Sequence, residues 1–417
     1  MFFHKFKKIL IFKKFKINSF VKNFLIKNFF YLEKNNIIFI SNYFNINIFF
    51  DNILKYNIKN FILSKNINYY FKKKMYNNRK KFRFLFSFFN FINFNFFKKN
   101  VKQYDVKKNF FFFPKNIFFL KKKNKIVYLF SIIKNNNNFK KLSKFVNFFL
   151  LKFKNFFFIK IIIKKSININ FLIKKKLFFK NICKIKKNIN IGNLTQCVIS
   201  NIMLIKNLIK KKKINLTHYN FYLNYKNLIF LLNSPEFLIR NEKDKNYTKP
   251  IAGTTDKNFG FLKILKNKKE LSEHLMLLDL SLNDSFKNNI KLLYLKKMFY
   301  CEINKSLIHI ISEIFFKNFK KNNLKLINNL FPAGTLSGSP KNDSIKIINI
   351  IEKKNRFLYG GILNFINKNH MESCILIRIK IFLLNNIFLE SGAGLIDKSI
   401  NFLEWLETII KKQNFLK

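Results

Sequence analysis

The C-terminal part of the chain is predicted to fold as an α+β domain, because helical and strand patterns alternate along it. Three segments have the apolar spacing of amphipathic helices, at 268–279, 340–352 and 401–413. Between the last two, residues 372–384 are rich in β-branched side chains, which is typical of a strand.

Composition divides the 417-residue chain into two regions. All nine Gly, and all but three of the 20 acidic residues, lie beyond residue 190. We therefore separate an N-terminal region, 1–165, from a C-terminal domain, 166–417. In the first region, short apolar runs broken by Asn and Lys favour strands over long helices.

The formal net charge is +61, from 81 Lys and Arg against 20 Asp and Glu. Phe, Ile, Asn and Lys dominate the chain, and A- and T-rich codons encode all four. Codon bias therefore explains the charge without a polyanionic partner. A basic nucleic-acid-binding protein is the alternative from another functional class, but it predicts charge gathered on one face, whereas Lys here is spread along almost every segment.

Several other classes are disfavoured. The four Cys form no CxxC or Cys/His cluster, so neither a disulfide scaffold nor a zinc site is expected. No uninterrupted apolar run reaches the roughly 18 residues of a spanning helix, so no membrane segment is expected.

Two pairs of Glu lie on predicted helices. Glu270 and Glu273 are three residues apart on the first helix, whose apolar stripe is Leu271, Leu275 and Leu278. Glu404 and Glu407 have the same spacing on the third helix, where Lys411 and Lys412 lie near the helix C-terminus. Converging pairs would form an oxygen-rich site suited to Mg²⁺, although each pair also fits a solvated face.

Two Gly-rich segments and one Arg complete the set of unusual residues. FPAGTLSGSPK (331–341) leads into the second helix, and SGAG (391–394) is expected to follow a strand. Their backbone N–H groups are suited to carboxylate or phosphate oxygens, or they are plain turns. Arg378 interrupts an apolar strand pattern where composition favours Lys, and a guanidinium makes bidentate contacts that Lys does not. An exposed strand position is the alternative.

The order of these motifs resembles that of the chorismate-utilising enzymes. Nine segments carry the resemblance: IGNLTQCVIS (191–200), NSPE (233–236), KPIAGT (249–254), ELSEHLMLLDLSLND (270–284), FPAGTLSGSPK, YGGILNF (359–365), ILIR (375–378), SGAGLI (391–396) and EWLET (404–408). It implies an α/β sandwich of two large, mainly antiparallel sheets with outer helices. It also implies a cytoplasmic enzyme with chorismate as substrate.

The resemblance implies roles for individual residues. Glu273 and Glu407 would bind Mg²⁺ directly, and Glu270 and Glu404 would bind it through waters. The backbone of Gly392, Ala393 and Gly394 would help to hold the ring carboxylate of chorismate. Arg378 and Tyr359 would bind the enolpyruvyl carboxylate. Glu236 would protonate the leaving C4 hydroxyl. His309 and Thr335 would face the ring.

Two positions distinguish branches of the family. Isochorismate and salicylate synthases carry a Lys base where this chain has Gln196, and aminodeoxychorismate synthases usually carry Lys at Ala252. Both residues fit the anthranilate synthase branch, with aminodeoxychorismate synthase as the alternative. The chain has no Gly-x-Cys-x-Gly glutaminase motif, so a separate glutamine amidotransferase subunit and a hetero-oligomer are implied.

The resemblance has worn positions, which suit a small, AT-rich endosymbiont genome. Residues 282–287, Ser306, Asn364 and Lys398 depart from the family pattern. In the N-terminal region, Lys34 stands where the family has the Ser of a Leu-Glu-Ser segment that serves tryptophan inhibition. We therefore predict weak or absent feedback by tryptophan.

Overall fold

The structure is a computed structural model that describes residues 173–416 with short gaps, and nine strands further upstream. The gaps are 207–218, 226–227, 243–244, 257–264, 305–306, 320–322, 353–355, 357, 367–369 and 384–385. Residues 147–165, an apolar run of uncertain type in the sequence, lie outside the described residues.

The described strands, numbered in chain order, form two antiparallel sheets. The first sheet has twelve strands: β1 Phe3–Leu10, β2 Phe29–Lys34, β3 Ile37–Asn42, β7 Asn116–Lys121, β8 Ile126–Ile133, β9 Asn168–Phe171, β10 Gln196–Lys206, β11 Tyr219–Tyr225, β12 Leu228–Ser234, β18 Gly338–Ser339, β21 Ile379–Leu383 and β22 Asn386–Leu395. The second has ten: β4 Phe44–Ile48, β5 Leu85–Phe89, β6 Phe110–Pro114, β13 Phe237–Glu242, β14 Lys245–Thr248, β15 Ile251–Asp256, β16 Ile290–Asn304, β17 Leu307–Asn318, β19 Ile362–Ile366 and β20 His370–Ile375.

Strands from both ends of the chain pair within the same sheets. In the first sheet the order is β1-β8-β7-β3-β2-β11-β12-β21-β22-β10-β18, with β9 also on β10. In the second it is β15-β17-β14-β13-β20-β19-β5-β6-β4, with β16 on β17. Pairing of β2 with β11, and of β5 with β19, joins upstream strands to those of the C-terminal part.

Helices cover the sheets. They are α1 Lys175–Asn190, α2 Lys268–Phe286, α3 Asn323–Leu330, the short α4 Gly334–Ser337, α5 Lys341–Ile351 and α6 Asn401–Leu416. One core packs α1, α5 and α6 against β10, where Trp405 lies 5.2 Å from the Phe178 ring. Another packs α2 and α3 against the second sheet. This two-sheet architecture with outer helices confirms the predicted fold class.

Two of the three predicted helices agree closely with the structure, and the other extends further than predicted. Helix α5 matches its prediction to within one residue, and α6 begins as predicted but continues to Leu416. Helix α2 runs seven residues further than predicted, and its Leu275 is exposed because the buried face follows Leu277 and Leu278 instead. No described helix combines the length and apolar composition needed to cross a membrane.

Candidate active site

The site is built where the chain passes between the two sheets. Two of these crossings form it: residues 235–236, between β12 and β13, and residues 376–378, between β20 and β21. Backbone hydrogen bonds join the two corners: Asn233 N donates to Arg378 O at 3.2 Å, and Ile375 N donates to Glu236 O at 3.1 Å. The corners therefore hold Glu236 and Arg378 side by side.

This geometry corrects the prediction of one strand over 372–384. The apolar pattern continues through the segment, but the backbone turns out of the second sheet after Ile375 and enters the first at Ile379. Arg378 lies at the turn with φ +55°, in the left-handed region that non-glycine residues seldom adopt. The Arg is thus a corner residue rather than one position of an alternating strand.

Glu236 is a partly buried carboxyl whose pKa lies close to neutral pH. Burial raises its pKa to about 7, while the hydrogen bond from Thr335 and the charge of Arg378 act to lower it. Thr335 Oγ1 donates to Glu236 Oε1 at 3.3 Å. Burial also lowers the pKa of Arg378, which the nearby carboxylate opposes. Glu236 and Thr335 line a cavity of about 40 Å³, together with Lys249 and Asp284.

The SGAG glycines lie inside β22, so the prediction that they form a loop after a strand is wrong. A Cβ at Gly392 would lie 2.6 Å from Tyr359 Oη, and one at Gly394 would lie 2.8 Å from Gln196 Nε2. Close approach of side chains, rather than a turn, requires glycine here. Pairing with β21 ends at Leu389, so beyond it β10 is the one described strand that pairs with β22.

Tyr359 and Gln196 face these glycines. Tyr359 is buried, which raises its pKa, and the neighbouring Gly360 N donates to Leu376 O at 3.0 Å, tying this turn to the second corner. Gln196, the first residue of β10, is 6% exposed. Its Oε1 has no hydrogen-bond partner among the described residues.

Helix α6 reaches the same strand through Lys411. The ammonium of Lys411 lies 2.5 Å from Glu407 Oε1 and donates to Gly392 O at 2.9 Å. Glu404, in the first turn, is buried. Because the helix continues to Leu416, Lys411 and Lys412 are not in its last turn, which holds no basic residue. The prediction that they complement the helix dipole there is wrong.

The other predicted residues lie on helix α2 and strand β17. Glu270 and Glu273 are in the first turns of α2, and Met276 of that helix accepts a hydrogen bond from Thr195 Oγ1 at 3.6 Å, beside the start of β10. His309, partly buried, lies on β17 opposite Thr254 and Glu302.

Carboxylate oxygens are the ligand type that Mg²⁺ prefers, so the four Glu fit the ion by donor chemistry. Within the described ranges, however, no three His, Cys, Asp or Glu side chains lie together in a metal-binding group. The magnesium site thus stays a prediction.

Sequence reasoning missed one buried ion pair beside the site, formed by Glu352 and Arg356. Two signals were present. The pair has the i, i+4 spacing of a helical ion pair, and Arg356 is one of only five Arg in a Lys-rich chain.

The family model described as chorismate binding enzyme matches residues 52–417. Anthranilate synthase component 1 of Aquifex aeolicus (strain VF5) is 32% identical over 214 residues, which are 49% of this chain and 43% of that protein. The Neisseria gonorrhoeae (strain ATCC 700825 / FA 1090) protein of the same name is 34% identical over 212 residues, 47% of this chain and 42% of that one. The match thus spans less than half the length of these relatives.

Two solved structures share the fold over nearly the whole chain. The menaquinone-specific isochorismate synthase of Escherichia coli superposes with a TM-score of 0.76 at 14% identity, covering 100% of this chain and 94% of that one. Anthranilate synthase component I of Streptococcus pneumoniae TIGR4 superposes with a TM-score of 0.71 at 18% identity, covering 99% and 92%.

Proposed function

The chain belongs to the family of chorismate binding enzymes, and we propose that it is the large subunit of an anthranilate synthase. In this proposal it converts chorismate and ammonia to anthranilate, pyruvate and water, the first step of tryptophan biosynthesis. Sequence relatives named anthranilate synthase component 1 support the proposal.

The observation that carries the proposal is the buried amide of Gln196 beside Gly394. An uncharged amide does not accept a proton from water, so this position lacks the base that would activate water as a nucleophile. Ammonia carries its own lone pair and needs no such base. The unpartnered Oε1 of Gln196 is a suitable acceptor for an N–H of ammonia.

Substrate binding would rest on charge and close approach. Arg378 and Tyr359 would hold the enolpyruvyl carboxylate, Arg378 through a charged, bidentate contact. Among the described strands, β22 pairs only with β10 beyond Leu389, so the other edge of its backbone at Gly392–Gly394 would bind the ring carboxylate. The four Glu of α2 and α6 would hold Mg²⁺, which when bound would neutralise that carboxylate.

Proton transfer would centre on Glu236. With a pKa of about 7, a substantial fraction of the carboxyl is protonated at neutral pH. As the nitrogen bonds to C2 of chorismate, the C4 hydroxyl takes a proton from Glu236 and leaves as water. A base then takes the C2 proton, the C3–O bond breaks, and the departing enolpyruvate gains a proton at its methylene carbon to become pyruvate. His309 and Thr335 would face the ring in this step, with His309 the candidate for the proton transfer.

The source of ammonia would be a second subunit. None of the four Cys lies in a Gly-x-Cys-x-Gly motif. We therefore place a glutamine amidotransferase beside this chain in a hetero-oligomer.

One product analysis tests the proposal. The full chain is incubated with chorismate, ammonium chloride and MgCl₂, and the products are separated and identified by mass. Equimolar anthranilate and pyruvate are expected. Accumulation of aminodeoxychorismate or isochorismate in their place would overturn the assignment. Gln196→Lys is the informative variant, because a basic amine at this position should divert part of the chorismate to isochorismate.

A further inference from the structure

Arg356 is the largest side chain that is fully buried in the described part of the chain, with 0% exposure. It follows α5 and precedes the turn that carries Tyr359. A guanidinium loses its hydration when it is buried, so such a residue requires acceptors for its donors.

The guanidinium of Arg356 has acceptors on three separate segments. Its Nε and Nη2 donate to the two carboxylate oxygens of Glu352, each at 2.9 Å. Its Nη2 also donates to Val198 O at 2.7 Å, and its Nη1 donates to Leu336 O at 2.8 Å. Glu352 Oε1 accepts in addition from Ser200 N at 2.6 Å. The planar guanidinium thus joins the C-terminal end of α5, strand β10 and the short helix α4.

Each of these segments carries a residue of the proposed site. Val198 and Ser200 pair in register with Gly394 and Gly392. Leu336 directly follows Thr335, which binds Glu236.

Arg356 also contacts the turn that follows it. Its guanidinium carbon lies 5.7 Å from the ring centroid of Tyr359, whose hydroxyl in turn abuts Gly392.

We propose that Arg356 is a positioning residue that fixes Thr335, Tyr359 and the Gly392–Gly394 strand relative to one another without touching substrate. The proposal rests on the proposed function. Small misplacements of binding groups cost large factors in rate, which is why a residue outside the substrate pocket affects turnover. A Lys at this position keeps the charge but not the planar fork that reaches three segments.

The test compares Arg356→Lys with Arg240→Lys. Arg240 pairs with buried Glu372 through Nε and Nη2, both at 3.1 Å. The control variant therefore also replaces an ion-paired guanidinium with an ammonium group, but at a different position in the fold. Both variants are assayed well below their melting temperatures, and activity is expressed per folded molecule, with fluorescence of the single Trp reporting folding. We expect kcat/KM to fall about 10- to 100-fold in Arg356→Lys and less than twofold in Arg240→Lys. Equal activity per folded molecule in Arg356→Lys and wild type would overturn the proposal.

A double variant separates placement from stability. Glu352→Leu/Arg356→Met replaces the buried ion pair with apolar groups and so leaves no unpaired charge, although Ser200 N, Val198 O and Leu336 O lose their side-chain partners; the folded fraction is therefore measured first. We expect this protein to fold yet to show the same loss in kcat/KM, and full activity would contradict the proposal. If the wild-type chain makes no anthranilate, the proposed function fails. The positioning role is then read from the dissociation constant of chorismate by calorimetry, which should rise in Arg356→Lys and not in Arg240→Lys.

Discussion

The hydroxyl of Thr335 donates a hydrogen bond to Glu236 Oε1 across 3.3 Å. This contact brings the loop of α4 to the corner between β12 and β13. Because the hydrogen bond favours the ionised carboxylate, it opposes the burial that raises the pKa of Glu236 to about 7. The proton affinity of the proposed acid is therefore set first by burial and then by two side chains from distant parts of the chain, Thr335 and Arg378.

The first prediction concerns pH. Since Glu236 must be protonated to act as an acid, kcat/KM should fall as pH rises through about 7. Thr335→Ala removes a contact that lowers this pKa, so the alkaline limb of the pH profile should move to higher pH. Thr335→Ser keeps the hydroxyl and should leave the limb in place. An identical limb in all three proteins would show that Glu236 does not govern it.

The second prediction concerns the metal. Glu273→Gln and Glu407→Gln should each abolish Mg²⁺-dependent turnover, because an amide is a poor substitute for a charged carboxylate ligand. Glu313→Gln, which removes a carboxylate paired with Lys296 at 3.4 Å on β17, is the control and should retain activity. Titration with MgCl₂ gives the comparison, and wild-type metal affinity in either of the first two variants would refute the assignment.

The third prediction concerns substrate binding. Arg378→Lys should weaken chorismate binding by ~1.5–3 kcal/mol, the range for hydrogen bonds to charged groups, because the bidentate contact is lost. Calorimetry in the absence of ammonia measures this directly. An unchanged dissociation constant together with unchanged turnover would exclude the role.

The fourth prediction concerns the buried Lys412. It is 2% exposed, its Nζ lies 5.6 Å from the Phe171 ring centroid, and it has no hydrogen-bond partner within the described residues. Burial lowers its pKa from 10.5 to about 7, with Glu390 opposing. Between these two values the unfolded chain binds a proton that the folded chain does not, so wild-type stability should rise with pH across this window.

Lys412→Met should therefore raise the melting temperature at pH 7 by about 2 °C or more, corresponding to roughly 1 kcal/mol. The difference from wild type should narrow as pH approaches 10. Lys346→Met, at a position that is 73% exposed on α5, is the matched control and should change little. A destabilised Lys412→Met protein would indicate that the ammonium has a stabilising partner.

The fifth prediction concerns feedback. Strand register places Lys34 opposite Tyr219, whose hydroxyl binds the buried Glu372. A cation in a pocket that serves an amino acid repels its α-ammonium group. L-tryptophan at millimolar concentration should leave activity unchanged, and strong inhibition at micromolar concentration would contradict this.

Sequence patterns predicted the outer helices better than the corners. Residues 341–351 and the start of α6 follow from apolar periodicity and from Pro340, which are local signals. The break at Arg378 has no local signal, because apolar side chains suit both the strand before the corner and the strand after it. Only the pairing of β20 and β21 with different sheets reveals the turn.

In the site, too, local features were predictable and long-range contacts were not. Composition marked Gly392 and Gly394 as unusual in a Gly-poor chain, but their cause is contact with Tyr359 and Gln196, residues distant in sequence. Arg356 was equally unusual in composition, yet its role depends on Val198 and Leu336, which no spacing rule connects to it. Composition therefore identified which residues were unusual, but it did not identify the distant residues that they contact.

The two crossings at 235–236 and 376–378 join the site to both sheets. Glu236 and Arg378 each lie on backbone that continues into both sheets, so the position of both side chains depends on how the two sheets pack. Low concentrations of denaturant that loosen the sandwich should accordingly reduce turnover before the fluorescence of Trp405, packed between helices and one sheet, reports unfolding. The relative placement of the two proposed site residues is therefore a property of the whole two-sheet fold rather than of either sheet alone.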